Sequence, residues 1–227
     1  MIVAFAGQKG GVGKSTTAVC LAVAALEAGS RVLLVDADPQ GTVRTWGEVA
    51  AERKRPAPTV IAMGASMHKS GQLADLAAGF DMTFIDCPPR HGEVQRSALM
   101  VADVVVLPCG ASAADAWALA TSLEVVREAR TMREELQACV LITRKQGRTA
   151  LGKSARKMLE STGLPVLQTE LGSRVAYQES LAAGQGITTF ASRDPGAREI
   201  LDLLDELGRL FHGQEASGRF VAQAAAR

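Results

Sequence analysis

Gln8-Lys9-Gly10-Gly11-Val12-Gly13-Lys14-Ser15-Thr16 is the stretch on which the reading of this chain turns. It follows a five-residue apolar run, Ile2-Val3-Ala4-Phe5-Ala6, and opens a helix-compatible segment from Thr17 to Ala28. Strand, glycine loop and helix in that order suit a bound phosphate. Glycines let backbone N–H groups turn toward an anion without a Cβ in the way, and the helix start adds its positive dipole end. Lys14 can reach β- and γ-phosphates, and the Ser15 hydroxyl can ligate Mg²⁺. The loop departs from the usual G-x-x-x-x-G-K-[ST] pattern: Gln8 holds the first glycine position, and an additional lysine, Lys9, sits inside. A glycine turn without a ligand is a much less specific account of Lys-Gly-Gly-x-Gly-Lys-Ser directly after a first strand. The stretch therefore reads as a nucleotide-phosphate site.

Composition bounds the rest. The chain has 227 residues, 47% hydrophobic and 22% charged, which fits one α/β domain with a full core. Aromatics make up only 4%, so Ala, Val and Leu must fill that core. A net charge of +1 means that any nucleic-acid surface has to be local. The four cysteines form no C-x-x-C pair; Cys20, Cys109 and Cys139 lie in apolar runs and read as buried, reduced thiols. The chain opens on a strand with no basic leader, and its longest apolar run, Ala18 to Leu26, is about half of a bilayer span. A cytoplasmic protein is expected.

Apolar strand-like runs alternate with helical segments. Arg31–Val35 reads as a second strand that exits into Asp36-Ala37-Asp38-Pro39-Gln40-Gly41, where Pro and Gly forbid continuation. Thr42 to Lys54 suits a helix, Thr59–Met63 a short strand, and Gly71 to Ala78 a helix. Met82–Asp86 is a strand ending in an acid before Cys87-Pro88-Pro89. A helix over Val94–Met100, a buried strand over Val104–Pro108, a long helix over Ala113–Arg133 and a strand over Ala138–Ile142 follow. Lys153–Thr162 reads as helix and Val166-Leu167 as a last short strand, followed by helices at Val175–Ala183 and Gly196–Phe211. The expected fold is α/β: a doubly wound, mostly parallel sheet flanked by helices, in a single domain over residues 1–211, with a frayed tail over 212–227. In such a sheet, ligands bind at the carboxyl ends of the strands. The glycine loop, the Asp36 loop and Asp86 all lie there, and Asp86 suits the acid behind a Mg²⁺. Asp36 and Asp38, two apart, can divide between metal shell and γ-phosphate, although an Asp-Pro pair also serves plain turn chemistry.

Lys9-Gly10-Gly11-Val12-Gly13-Lys14-Ser15-Thr16, Asp36-Ala37-Asp38-Pro39-Gln40-Gly41 and Phe84-Ile85-Asp86-Cys87-Pro88-Pro89 together resemble the three signatures of the ParA/MinD ATPases, P-loop NTPases with a deviant Walker A motif. The resemblance spans roughly residues 1 to 211. Ile142-Thr143-Arg144-Lys145 and Arg174 through Tyr177-Gln178-Glu179-Ser180 look like the small plasmid-type ParA partition proteins, which lack an N-terminal DNA-binding extension. The resemblance implies ATP and Mg²⁺ as cofactors and weak, partner-stimulated ATP hydrolysis. It makes Lys9 the lysine that crosses to the partner subunit's phosphates in an ATP-sandwich homodimer. Lys14 then serves the chain's own phosphates, Asp38 orients the attacking water, and Ser15, Asp36 and Asp86 serve the metal. Nucleotide contacts fall on Lys9, Gly10, Gly11, Val12, Gly13, Lys14, Ser15, Thr16, Thr143 and Arg144. Thr143 stands where many relatives carry Asn, and Cys87 replaces the commoner Thr.

The family binds nonspecific double-stranded DNA in the ATP state, which implies association with the nucleoid. It also works with a ParB-like or cargo-adaptor protein that stimulates hydrolysis, so that a plasmid, chromosome or protein complex is partitioned or positioned. From Arg144 to Lys157 the chain carries six basic residues (Arg144, Lys145, Arg148, Lys153, Arg156, Lys157) and no acid, with Arg174 beyond. A one-sided cluster in a neutral protein is the footprint of phosphate-backbone contacts, although a solvated helix face carries the same pattern. No aromatic interrupts it, which argues against stacking on single strands. A MinD-like membrane switch is the alternative; it needs a basic amphipathic C-terminal helix, and Glu199, Asp202, Asp205 and Glu206 against Arg209 would be repelled by anionic lipid. An iron–sulfur relative would need cluster cysteines that the sequence does not show.

Overall fold

The computed structural model describes residues 1–90, 92–146 and 156–212. Seven strands form one sheet in the order β3-β2-β4-β1-β5-β6-β7, and every pairing is parallel. The strands are β1 (Ile2–Phe5), β2 (Val32–Asp36), β3 (Thr59–Ala62), β4 (Met82–Asp86), β5 (Val104–Gly110), β6 (Gln137–Lys145) and β7 (Val166–Gly172). The helices are α1 (Lys14–Glu27), α2 (Thr42–Glu52), α3 (Leu73–Ala77), α4 (Gly92–Leu99), α5 (Ala113–Met132), α6 (Val175–Ala182), α7 (Ile187–Phe190) and α8 (Pro195–His212). Residues 156–160 are also helical.

The inner strands are apolar on both faces because both faces are covered. Successive side chains point to opposite sides. Val3, Phe5, Val32, Leu34, Met82, Phe84, Val104 and Val106 meet α1 and α8 on one side. Ala4, Leu33, Val35, Ile85, Val105 and Leu107 meet α4 and α5 on the other. Helix α1 lies between the sheet and α8 and is buried nearly all round, from Thr17 through Ala25. Its alanines let neighbours approach closely, which is how a chain with few aromatics fills its interior.

Three strands run at least two residues further than the sequence patterns predict: β6, expected over Ala138–Ile142, spans Gln137–Lys145, and β5 and β7 are longer as well. Pro108 does not end β5, which continues to Gly110. Strand β1 pairs with β5 only as far as Val106, and Ala6 N donates to Val106 O as the last link. Beyond that point β5 keeps one partner, β6, so the N–H that proline lacks is not needed on the side β1 has left. Strand β7 has seven residues instead of two. It is an edge strand, half exposed, and its polar Gln168, Thr169 and Glu170 carry no apolar run for a sequence reading to follow.

In register, Asp36 stands beside Asp86 and Asp86 beside Phe5. The loops after β1, β2 and β4 therefore leave the sheet side by side. Helix α7 fits no pattern visible in the sequence. Expectations for Arg148, for Lys153 and for the tail beyond His212 fall outside the described residues.

Candidate nucleotide site

The loop between β1 and α1 reverses through Gly11 (φ 71°) and Gly13 (φ 91°), a left-handed backbone region that side chains with a Cβ rarely adopt. Gly13 is the N-cap of α1, and Thr17 Oγ1 donates back to its carbonyl at 2.7 Å. Gly10, Gly11, Gly13, Lys14, Ser15 and Thr16 line a cavity of about 560 Å³, and Asp38, Thr143, Arg144, Arg174, Tyr177 and Gln178 are among the other residues of its wall. A Cβ added at Gly10 or Gly11 would meet no other part of the chain within 4 Å, so open space borders the loop there. Lys14 is only 6% exposed, and burial lowers its pKa against the opposing pull of Asp86, Cys87 and Asp38. Its ammonium donates to the Lys9 carbonyl at 3.0 Å.

Asp86 is fully buried, and neither carboxylate oxygen has a hydrogen-bond partner among the described residues. Burial pushes its carboxyl up to about 7, reinforced by Asp36 and Asp38; the nearby Ser15 hydroxyl and Lys14 only partly offset this. A buried polar group without a partner is rare and costly. Two orphaned oxygens beside Ser15 and Lys14, at the foot of the glycine loop, are a donor set that a hard cation such as Mg²⁺ satisfies.

The other two acids have different employment. Asp36 is buried, and its oxygens accept from Asp38 N at 3.1 Å and from Arg44 N at 2.8 Å, which ties the Asp38–Gly41 turn to the first turn of α2. Neither Asp36 nor Asp86 lines the cavity. Asp38 does, half exposed, with Oδ1 accepting from Gln40 N at 2.9 Å.

Thr143 and Arg144 reach the loop from the end of β6. Thr143 Oγ1 donates to Val12 O at 2.8 Å in a buried contact, and Arg144 Nη1 donates to Gly11 O at 3.0 Å. Arg144 holds a left-handed backbone (φ 54°), a strained conformation for a residue with a Cβ. Both side chains hold carbonyls of the loop. Val12 itself is buried and does not line the cavity.

Lys9 does not line the cavity either. Its ammonium pairs with Asp115 in the first turn of α5, in a small neighbouring recess with Gln8, Cys109 and Ser122. Burial alone would raise the Asp115 carboxyl, but Lys9 and Ser112 outweigh it and hold the pKa below the usual value. Gln8 N is held by Ser122 Oγ at 3.1 Å. Sequence reasoning missed Asp115, Ser122 and also Gln95, a 1% exposed side chain on α4 whose amide donates to Pro88 O at 2.6 Å and Gly7 O at 3.4 Å. A lone Gln in a short amphipathic helix gives no signal of such a bridge.

The expected DNA-contact residues are mostly engaged within the chain. Lys145 and Arg156 both bond Glu170, and Arg174 bonds Glu199, with Nη2 to Oε1 at 2.5 Å. Arg144 lies on the glycine loop. Lys157 is exposed.

The sequence profile of the CobQ/CobB/MinD/ParA nucleotide binding domain matches residues 3–187, and the chain belongs to that family. It is 34% identical over 204 residues to maintenance of carboxysome distribution protein A of Gloeobacter kilaueensis, covering 87% of this chain and 88% of that protein. It is 32% identical over 235 residues to the chromosome-partitioning ATPase Soj of Thermus thermophilus, covering 90% and 94%. The solved structure of an ATP complex of Cyanothece McdA superposes with a TM-score of 0.71 at 18% identity, covering 91% of this chain and 96% of that one. MinD of Pyrococcus horikoshii, complexed with Mg-ADP, gives 0.69 at 17% identity over 92% and 96%. These two likenesses establish the fold.

Proposed function

We propose that this chain is a ParA-type ATPase that binds Mg·ATP as a sandwich homodimer, binds nonspecific double-stranded DNA in that state, and positions a cargo. A ParB-like or cargo-adaptor partner stimulates hydrolysis and resets it. It acts in the cytoplasm, on the nucleoid while ATP is bound, with residues 1–211 as one ATPase domain.

The observation that carries this reading is the place of Lys9. One loop holds two lysines, and Lys14 alone lines the chain's own cavity; Lys9 sits outside it on a half-exposed pair with Asp115. A lysine kept beside a phosphate loop and directed away from its own cavity is suited to a second subunit's phosphates. The loop from Gly10 to Thr16 would hold the phosphates, while Ser15 and the orphaned Asp86 would hold Mg²⁺. When bound, the metal supplies charge neutralisation on the β- and γ-oxygens. Asp38, on the cavity wall, would orient the attacking water, while Asp36 would serve the Mg²⁺ shell and also fixes the turn that carries Asp38.

The membrane alternative finds no support in α8. Its apolar face (Ile200, Leu203, Leu204, Leu207) is buried against the core, and Glu206 accepts from the Gln168 and Thr169 N–H groups. No described helix is long and apolar enough to cross a membrane.

The test is binding to nonspecific duplex DNA at fixed low salt by Asp38→Ala protein, in ATP and in ADP. Tight, salt-sensitive binding in ATP alone is expected. Equal binding in both states, or none in either, would refute the DNA switch.

A further inference from the structure

Glu170 bonds two of the residues expected to meet DNA, and its charge has the wrong sign for that task. It stands on β7, the edge of the sheet, with its side chain 15% exposed. One carboxylate oxygen takes the Lys145 ammonium, and the other takes Arg156 Nε at 2.9 Å. Both cations come from the basic run between Arg144 and Lys157, which contains no acid of its own. Arg156 is fixed further by Nη2 donating to Leu167 O at 2.8 Å and lies 3.8 Å from Glu160. The three side chains Lys145, Arg156 and Glu170 together carry a single net positive charge, where the sequence alone offers two.

Anchoring the helical residues 156–160 to β7 does not require that charge. An amide oxygen can also accept from Arg156, in a weaker bond that keeps the same connection. What glutamate adds is a negative charge between two cations at a phosphate-binding surface, and affinity for duplex DNA rises with each phosphate that a protein neutralises. A positioning ATPase has to leave DNA when its nucleotide is spent, so maximal charge is a disadvantage.

We infer that Glu170 is an attenuator of DNA affinity: it holds Lys145 and Arg156 as a fixed triad and keeps their combined charge low enough for reversible binding to the phosphate backbone. This rests on the DNA-binding reading above. The ligand is the backbone of double-stranded DNA, read without regard to base sequence. Arg174 on Glu199 is a similar pairing next to it, with Glu199 also accepting from Gly172 N at 2.9 Å and Tyr177 OH at 3.0 Å. Glu199 has too many structural duties to serve as the probe.

The experiment measures random-sequence duplex binding in ATP over a range of salt, in the Asp38→Ala background. Glu170→Gln should tighten binding about threefold or more at low salt and steepen the slope of log K against log salt by about 0.9, the value of one added phosphate contact. Lys145→Gln with Glu170→Gln, which restores the original net charge, should return to the background affinity. Lys145→Gln alone should bind more weakly than either. If Glu170→Gln melts early, the same comparison is made between Lys145→Gln and the double variant, where Glu170 has already lost one partner. Unchanged or weaker binding when Glu170 is neutralised, in a background that does bind DNA, overturns the attenuator alone. A background that fails to bind DNA in ATP overturns the DNA reading together with it. A purely structural Glu170 would move the melting temperature and leave the salt slope where it was.

Discussion

Asp86→Asn should make the nucleotide-free, metal-free protein more stable at neutral pH while diminishing its response to Mg²⁺ and nucleotide. The Asp86 carboxyl is fully buried without a hydrogen-bond partner, and its pKa is pushed from 3.8 up to about 7. Below pH 3.8 the group is protonated in folded and unfolded chains alike, so its ionisation costs nothing. Between there and about 7 the unfolded chain gives up this proton and the folded chain keeps it, so stability falls as pH rises. Above 7 the cost is complete. Holding the carboxyl at about 7 instead of 3.8 costs the folded state ~4 kcal/mol above that pH, and the additional unpartnered N–H groups of the amide would take back about 1–2 kcal/mol. A net gain of about 2 kcal/mol would raise the melting temperature by roughly 4–8 °C for a chain of this size. Thermal melts of both proteins from pH 4.5 to 8.5 in chelator, then with Mg·ADP, test this. The wild type should lose stability toward pH 7 and regain it with Mg·ADP; the variant should show neither this part of the pH slope nor the full rescue. Parallel pH profiles, or an undiminished Mg·ADP response in the variant, would refute the role of Asp86 as an empty-handed metal acid.

Thr143→Val removes the buried bond to Val12 O and should cost about 1–2 kcal/mol of stability, while weakening nucleotide binding several-fold by isothermal titration; Thr143→Ser should restore most of both. Lys9→Ala breaks a half-exposed pair, so its melting temperature should stay within about 2 °C of wild type. ATP-dependent self-association, read by light scattering in the Asp38→Ala background, should nevertheless be lost. Leu203→Ala opens a cavity where α8 meets the core and should cost about 2–5 kcal/mol by chemical denaturation. A smaller loss would mean that α8 is not held on the core as the buried Leu203 implies.

The sequence by itself determined the parallel α/β fold, the phosphate loop and the acids at the strand ends, because each is a local matter. A strand buried on both faces must be apolar at every position, and a loop that turns its N–H groups on an anion must be glycine-rich. Tertiary structure decided which side chains those elements meet. Nothing local separates Asp36, hydrogen-bonded to the turn it organises, from Asp86, two strand ends away in sequence but adjacent in register and without a partner among the described residues. Nor does the basic run from Arg144 to Lys157 reveal that a glutamate on the edge strand, absent from every apolar pattern, has claimed two of its cations. Charge in a sequence is a count. Burial and pairing, set by contacts between residues far apart along the chain, decide how much of it reaches a ligand.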